Sequence, residues 1–360
     1  MKPRKEQLFK RQITLSEIGE AGQQKLQDTN VLVVGCGGLG SPIAVYLASS
    51  GIGKIHLVDF DTVDETNLHR QVFYSLNDIG KPKAETLANF IKERAPFTEV
   101  SFSTTPITKE NVFELISEVD IVIDGTDSLP TKYLLNDACV LKEKPLVYGS
   151  LYKFDGYVST FNIAQEDGSF SANLRDAFPE IATDVPNCEE AGTLNAIVGM
   201  IAIQQVNEVL KIATGIGKLL ANELLVYNAL QNTQFKMKLQ NKITKSQIEE
   251  IFQTDTYFDP SCEVQNPDWL ISREELKREL LLRVESRSLV LISVLENLEM
   301  PFQVDRTITI PELKNGAFLP QQNKKHVLVC KKGLTSYKAT KLLKEKHPNV
   351  TILSLVGGIL

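Results

Sequence analysis

Two cations and two carboxylates follow closely on a glycine-rich turn, and their order suits a polyphosphate better than a nicotinamide. The turn is VLVVGCGGLG, Val31 to Gly40, with Gly35, Gly37, Gly38 and Gly40 placed to cradle phosphate between a strand and a helix. About twenty residues later the strand KIHLVDFDTV ends on Asp59 and Asp61, where a carboxylate can hold ribose hydroxyls. ETNLHRQ then sets Asn67 and Arg70 one helical turn apart on one face, and GKPKAE adds Lys83. Taken singly, Arg70 and Lys83 read as solvated surface charges. Behind a glycine cradle and an acidic strand end they read as phosphate contacts, which a dehydrogenase does not need.

The segment IVIDGTDSLPTKYLLND places Asp124 and Asp127 at the carboxyl edge of a further strand, where open parallel sheets bind ligands. Asp127 fits Mg²⁺, which takes one or two carboxylates together with phosphate and water oxygens. The same residue also suits an N-cap for the helix that follows.

The elements that must position these groups alternate. Strand-like runs at Val31 to Gly35, Ile55 to Asp59, Val100 to Ser103, Ile121 to Asp124 and Leu146 to Gly149 are separated mostly by helix-like segments, which predicts a parallel sheet with helices on both faces. After Tyr148 the pattern becomes antiparallel, over Gly156 to Ile163 and then a hairpin or sheet edge from Glu223 to Tyr227 and Gln234 to Leu239. The sheet is therefore expected to be mixed. A long apolar helix is expected over Thr193 to Ala213, preceded by an acid- and proline-rich loop from Gln165 to Glu190. The polar stretch 241–265 reads as a linker between a domain at 1–240 and a smaller α/β domain at 266–360.

The net charge of −6 and the lack of a Lys/Arg cluster argue against a nucleic-acid groove. Five cysteines, Cys36, Cys139, Cys188, Cys262 and Cys330, are scattered without C-x-x-C spacing, which points to a cytoplasmic chain with no disulfide framework. Glycines and polar residues interrupt the runs from Val31 to Ile52 and from Leu194 to Leu210, so no membrane partner is expected.

Five ordered motifs carry a resemblance: RQI at Arg11 to Ile13, GCGGLG, DFDTVDETNLHRQ, GKPKAE and GTDS at Gly125 to Ser128. Over its first 240 or so residues the chain resembles the MoeB/ThiF superfamily, bacterial relatives of ubiquitin-activating enzymes. The resemblance implies ATP-dependent adenylation of the C-terminal glycine of a small ubiquitin-like sulfur-carrier protein ending in Gly-Gly. It also implies ribose binding by Asp59, phosphate binding by Asn67, Arg70 and Lys83, Mg²⁺ at Asp127, and a homodimer in which Arg11 reaches the neighbouring subunit's nucleotide.

Many members carry two C-x-x-C zinc pairs, but the corresponding stretches, Gly168 to Phe178 and Phe235 to Lys245, hold no cysteine. No structural zinc is expected, and the loop must be held otherwise or be mobile. Cys188, just before the long helix, matches a position that forms thioester or persulfide adducts in the family; a buried inert cysteine is the other reading. Cys330 ends a strand before a seven-residue loop opening a helix expected at Ser336 to Glu345. That loop and the ending SLVGGIL resemble rhodanese-like sulfurtransferases, implying a persulfide at Cys330. The match is degraded where Ser293, Leu295 and Thr335 stand at positions often held by other residues. The fold expected is thus a Rossmann-like ATP-binding α/β domain followed by a rhodanese-like α/β domain. The competing readings are a nicotinamide-dependent oxidoreductase, and an adenylating domain with a non-catalytic C-terminal binding module.

Overall fold

The structure, a computed structural model, describes residues 4–179, 192–257, 266–286, 289–295, 301–330 and 333–359. The chain forms two compact units, Met1–Phe258 and Asp259–Leu360.

Short runs, apolar in the central strands and exposed throughout the edge strand β8, build the sheet of the first unit: β1 Asn30–Val34, β2 Lys54–Val58, β3 Glu99–Ser103, β4 Ile121–Asp124, β5 Leu146–Tyr152, β6 Asp155–Phe161, β7 Glu223–Asn228 and β8 Thr233–Lys238. Their order is β3-β2-β1-β4-β5-β6-β7-β8. The first five are parallel, and β6 to β8 add antiparallel. The sheet is mixed and mainly parallel, as its change of pattern after Tyr148 predicts. Because β1 leads outward to β2 and β3 while β4 returns to the other side of β1, the loops after β1 and β4 flank a topological switch point. Ligands of open α/β sheets bind in such a crevice.

Two cores sandwich the sheet. Val31 and Val33 of β1 pack with Ile43 and Leu47 of the helix Gly40–Ser50 and with Ile197 and Ile201. Leu32 and Val34 face Leu134, Leu135 and Ala138 of the helix Leu129–Leu141. The helix Asn195–Thr214 is long and apolar enough to cross a membrane by composition alone. It lies instead along the sheet, and its buried Gln205 and Glu208 donate to Asp124 O at 2.8 Å and accept from Leu220 N at 2.9 Å, respectively.

The stretch expected as a linker, 241–265, is in part a helix. Thr244 and Gln247 form a capping box, and Lys245–Thr254 buries Ile248 and Phe252. Phe252 stacks on Phe113 at 4.9 Å and on Tyr257 at 5.6 Å, so this helix closes the core of the first unit. Apart from the half-buried Ile251, its other positions are polar and face solvent, so the stretch reads as a polar connector.

The Gln165 to Glu190 loop is described as far as residue 179, and that part is tied down. Asp176 accepts from Lys242 N at 2.7 Å and Ile243 N at 3.0 Å, joining the two cysteine-free stretches directly. Beneath them the Arg175 guanidinium grips Asp137, with Nε at 2.8 Å from Oδ1 and Nη2 at 2.6 Å from Oδ2. Tyr257 donates its hydroxyl to the same carboxylate at 2.6 Å. Burial and the adjacent carboxylate push that phenol up, so it stays a donor.

The second unit is a parallel sheet, β11-β10-β12-β13-β9, from β9 Leu270–Ile271, β10 Leu289–Ser293, β11 Arg306–Thr307, β12 Lys325–Val329 and β13 Ile352–Leu355. The helices Arg273–Ser286, Ile310–Lys314 and Leu334–Lys346 accompany it. The two-residue edge strands and the one-turn helix carry too little periodicity to be read from sequence.

Candidate active site

Glycine contacts set the cradle. Gly35 takes φ +87°, and a Cβ there would meet Gly125 O at 2.8 Å; one on Gly40 would lie 1.6 Å from Gly35 O. The turns after β1 and β4 therefore touch backbone to backbone, and only glycine permits it. The helix Gly40–Ser50 starts at this contact, with Ser41 N donating back to Gly37 O at 3.0 Å, so the glycine turn is fastened to the helix's N-terminal end.

Asp59, at the end of β2, is buried, and its carboxylate accepts from Cys36 N at 2.6 Å and Asp61 N at 2.8 Å. One oxygen serves each bond, and each keeps a lone pair for a ribose hydroxyl. Burial raises this carboxyl above its ordinary range, against the opposing pull of Lys83 and the two N–H groups. Asp61 is largely exposed and pairs with the buried Lys83, Nζ to Oδ2 at 3.0 Å. The two carboxylates thus divide the work expected of them jointly. Asp59 fastens the glycine turn, and Asp61 steadies the lysine.

Arg70 and Asn67 meet, though through a short 3-10 turn at Glu65–Asn67 rather than a regular helix. Arg70 Nη2 donates to Asn67 Oδ1 at 2.7 Å, and its side chain passes the glycine turn, 3.8 Å from where a Gly38 Cβ would stand. Tyr74 closes the same segment onto the cradle by donating to Cys36 O at 2.7 Å. The side chain of Gln71 is buried beside Gly37, a contact its place in the motif did not disclose.

Asp127 is exposed, next to the Gly125 contact. It is not the N-cap of the following helix: Ser128 is, accepting from Thr131 N at 3.1 Å. Asp127 is thereby free of that structural duty. Among the described residues no cluster of three or more His, Cys, Asp or Glu side chains could hold a metal. A lone exposed carboxylate fits Mg²⁺ that arrives with phosphate oxygens and does not fit a resident protein-only cage.

Arg11 is not brought to this cradle. It is exposed on a short helix whose neighbour Gln12 bonds to Ser50 O at 3.0 Å, at the far end of the helix that the glycine turn begins. Cys188 lies outside the described residues. Cys36 and Cys139 are buried, and burial pushes both thiols up, so they are inert packing groups.

In the second unit Cys330 ends β12, and the helix begins at Leu334, two residues earlier than expected, because Gly333 at φ +85° turns the chain. The loop is correspondingly short. The sulfur accepts from Gly333 N at 3.1 Å and Ser336 N at 3.3 Å, and the Ser336 hydroxyl stands 3.3 Å away. The Cys330 side chain is 1% exposed. A Cβ on Gly333 would press on Leu355 O at 2.9 Å and Gly357 N at 2.9 Å, which explains why the terminal SLVGG run accompanies this loop.

A doubly wound sheet with a glycine cradle, a buried carboxylate at the end of β2 and two cations near its switch point defines a nucleotide-binding enzyme of the Rossmann-like class. The chain belongs to the ThiF family, whose model matches residues 9–248. It is 34% identical over 362 residues to the probable adenylyltransferase/sulfurtransferase MoeZ of Mycobacterium tuberculosis, covering 98% of this chain and 91% of that relative. It is 40% identical over 225 residues to the sulfur carrier protein adenylyltransferase of Thermus thermophilus, covering 62% and 83% respectively. The adenylyltransferase and sulfurtransferase MOCS3 of Drosophila sechellia is 32% identical over 98% of this chain and 81% of its own. Among solved structures, E. coli MccB with ATP superposes with a TM-score of 0.55 at 22% identity, over 62% of this chain and 67% of that one, a likeness of fold. Relatives named as adenylyltransferases set aside the nicotinamide oxidoreductase.

Proposed function

We infer that this enzyme adenylates the C-terminal glycine of a small ubiquitin-like sulfur-carrier protein and supports its conversion to a thiocarboxylate through Cys330. The observation that carries the first step is the meeting of Arg70, Asn67, Lys83 and Asp59 around one glycine cradle, brought there by the 25 residues that run from the end of β2 to the start of the helix Lys83–Lys92. The names of the relatives supply the substrate class.

In the first step the carrier's terminal carboxylate attacks the α-phosphorus of ATP. A carboxyl–phosphate bond forms, the bond from that phosphorus to the α–β bridging oxygen breaks, and pyrophosphate leaves. The attacking group is already ionised, so the site needs fixed positive charge and no general base. Arg70 supplies a guanidinium oriented by Asn67. Lys83 keeps two further N–H donors beyond the one given to Asp61. Asp59 receives the ribose. Bound Mg²⁺ would neutralise phosphate oxygens, with Asp127 as its protein ligand. Arg11, exposed next to Gln12 at the far end of a helix that rises about 16 Å from the cradle, serves the neighbouring subunit of a homodimer. In the second step the outer sulfur of a persulfide on Cys330, cradled by loop and helix N–H groups, attacks the carrier's acyl carbon and AMP leaves, giving an acyl disulfide; a second thiol then attacks the Cys330 sulfur, forming a disulfide with it and releasing the thiocarboxylate.

ATP–pyrophosphate exchange tests the first step. Exchange that depends on a carrier ending in Gly-Gly is expected; none with any such carrier, while ATP still binds, refutes the reading. The depth of Cys330 favours a second reading of the second unit as a binding module. Persulfide formation at Cys330 with a sulfur donor separates the two.

A further inference from the structure

Beside the cradle, Lys132 and Asp124 form an ion pair inside the first unit, at 2% and 0% exposure. Lys132 Nζ donates to Asp124 Oδ2 at 2.9 Å and to Gly149 O at 2.7 Å, and it lies 5.2 Å from the centre of the Tyr148 ring. The other carboxylate oxygen, Oδ1, accepts from Thr126 N at 3.0 Å and from the Thr126 hydroxyl at 2.8 Å. Gln205 holds the Asp124 carbonyl from the long helix at 2.8 Å.

Stability is a weak reason for such a pair, since well-packed apolar residues often serve as well or better. What the pair fixes is a turn. On one side Gly125 is pressed against Gly35 and Gly40, where a Cβ would come within 2.9 Å of both. On the other, Asp124 holds Thr126 by two bonds. The next residue is Asp127, which leaves this clamp with an exposed side chain. Without the ammonium, Asp124 becomes a buried charge lacking its cation. Turning toward water relieves it, and that change loosens Thr126.

We propose that Lys132 is a positioning residue that acts through Asp124 and Thr126 to set where the Asp127 carboxylate stands, and so how tightly the nucleotide site takes Mg²⁺. The inference rests on the reading of Asp127 as the Mg²⁺ ligand. The test uses the full-length protein with a non-hydrolysable ATP analogue. Mg²⁺ is titrated into the complex by calorimetry, and analogue affinity is measured separately in chelator. Lys132→Met is expected to raise the Mg²⁺ concentration for half-saturation by about 10-fold, the scale of lost outer-shell support, with chelator affinity nearly unchanged. Thr126→Val keeps the ion pair and removes one bond to the turn, so it gives a smaller shift in the same direction even if Lys132→Met fails to fold. Asp127→Asn serves as the reference. If Asp127→Asn leaves the Mg²⁺ dependence unchanged, the metal reading fails. If Asp127→Asn raises it while Thr126→Val, and Lys132→Met where folded, match the parent protein, the pair is only structural and the proposal is overturned.

Discussion

Replacing Arg175 with methionine should unfasten the first cysteine-free stretch from the helix Leu129–Leu141, whose Asp137 it grips. Arg175 is 5% exposed and its partner Asp137 0%. The guanidinium makes three contacts with that carboxylate, at 2.8, 3.0 and 2.6 Å. Removing one member of a buried pair typically costs about 3–5 kcal/mol, because the other charge is left unpaired. Here Asp137 keeps Asn136 Nδ2 at 2.9 Å and the Tyr257 hydroxyl at 2.6 Å, which favours the lower end of that range. At roughly 2–4 °C per kcal/mol for a unit of this size, a loss of about 3 kcal/mol lowers the melting temperature by roughly 6–12 °C. Urea denaturation and thermal melts of parent and variant measure it. The double change Arg175→Met with Asp137→Leu should recover much of the loss, since apolar replacement of both partners is often neutral. A loss below about 1 kcal/mol, or a double variant as unstable as the single one, refutes the ion pair as the fastening. So does a parent protein whose melting temperature falls in chelator.

Gly40→Ala should abolish nucleotide binding, because its Cβ would stand 1.6 Å from a backbone oxygen of the cradle; equilibrium binding of an ATP analogue checks it. Arg70→Ala should cost about 1.5–3 kcal/mol in nucleotide binding, the worth of a charged hydrogen bond, with the fold intact by circular dichroism. Burial raises the folded carboxyl of Asp59, so on acidification the folded protein takes up this proton before the unfolded chain does. Its contribution to stability therefore improves as pH falls and declines as pH rises through the raised value, whereas nucleotide affinity runs the other way. On acidification, ATP-analogue affinity should start to weaken while the pH is still above the ordinary aspartate value of about 3.9, and Asp59→Asn should flatten that profile. Cys330→Ala should spare ATP–pyrophosphate exchange and abolish thiocarboxylate formation; equal loss of both contradicts the division of labour between the units.

The sequence by itself determined the parallel sheet, the glycine cradle between β1 and its helix, and the candidates Asp59, Asn67, Arg70, Lys83 and Asp127, because backbone sterics and hydrophobic period are local. It also announced the antiparallel extension, through the alternation after Tyr148. Tertiary structure alone decided which charges remain available. Asp61 turns to Lys83, Asp124 to Lys132, and Ser128 takes the cap that Asp127 could have filled. It likewise decided that 245–254 closes the core, since Ile248, Ile251 and Phe252 keep a helical spacing but do not name what they pack against. Arg175 and Asp137 stand 38 residues apart, and Tyr257 a further 82 beyond Arg175 by position, with no spacing rule to link them. A buried ion pair is a property of the folded interior, where low dielectric makes each charge depend on a partner that chain order does not name.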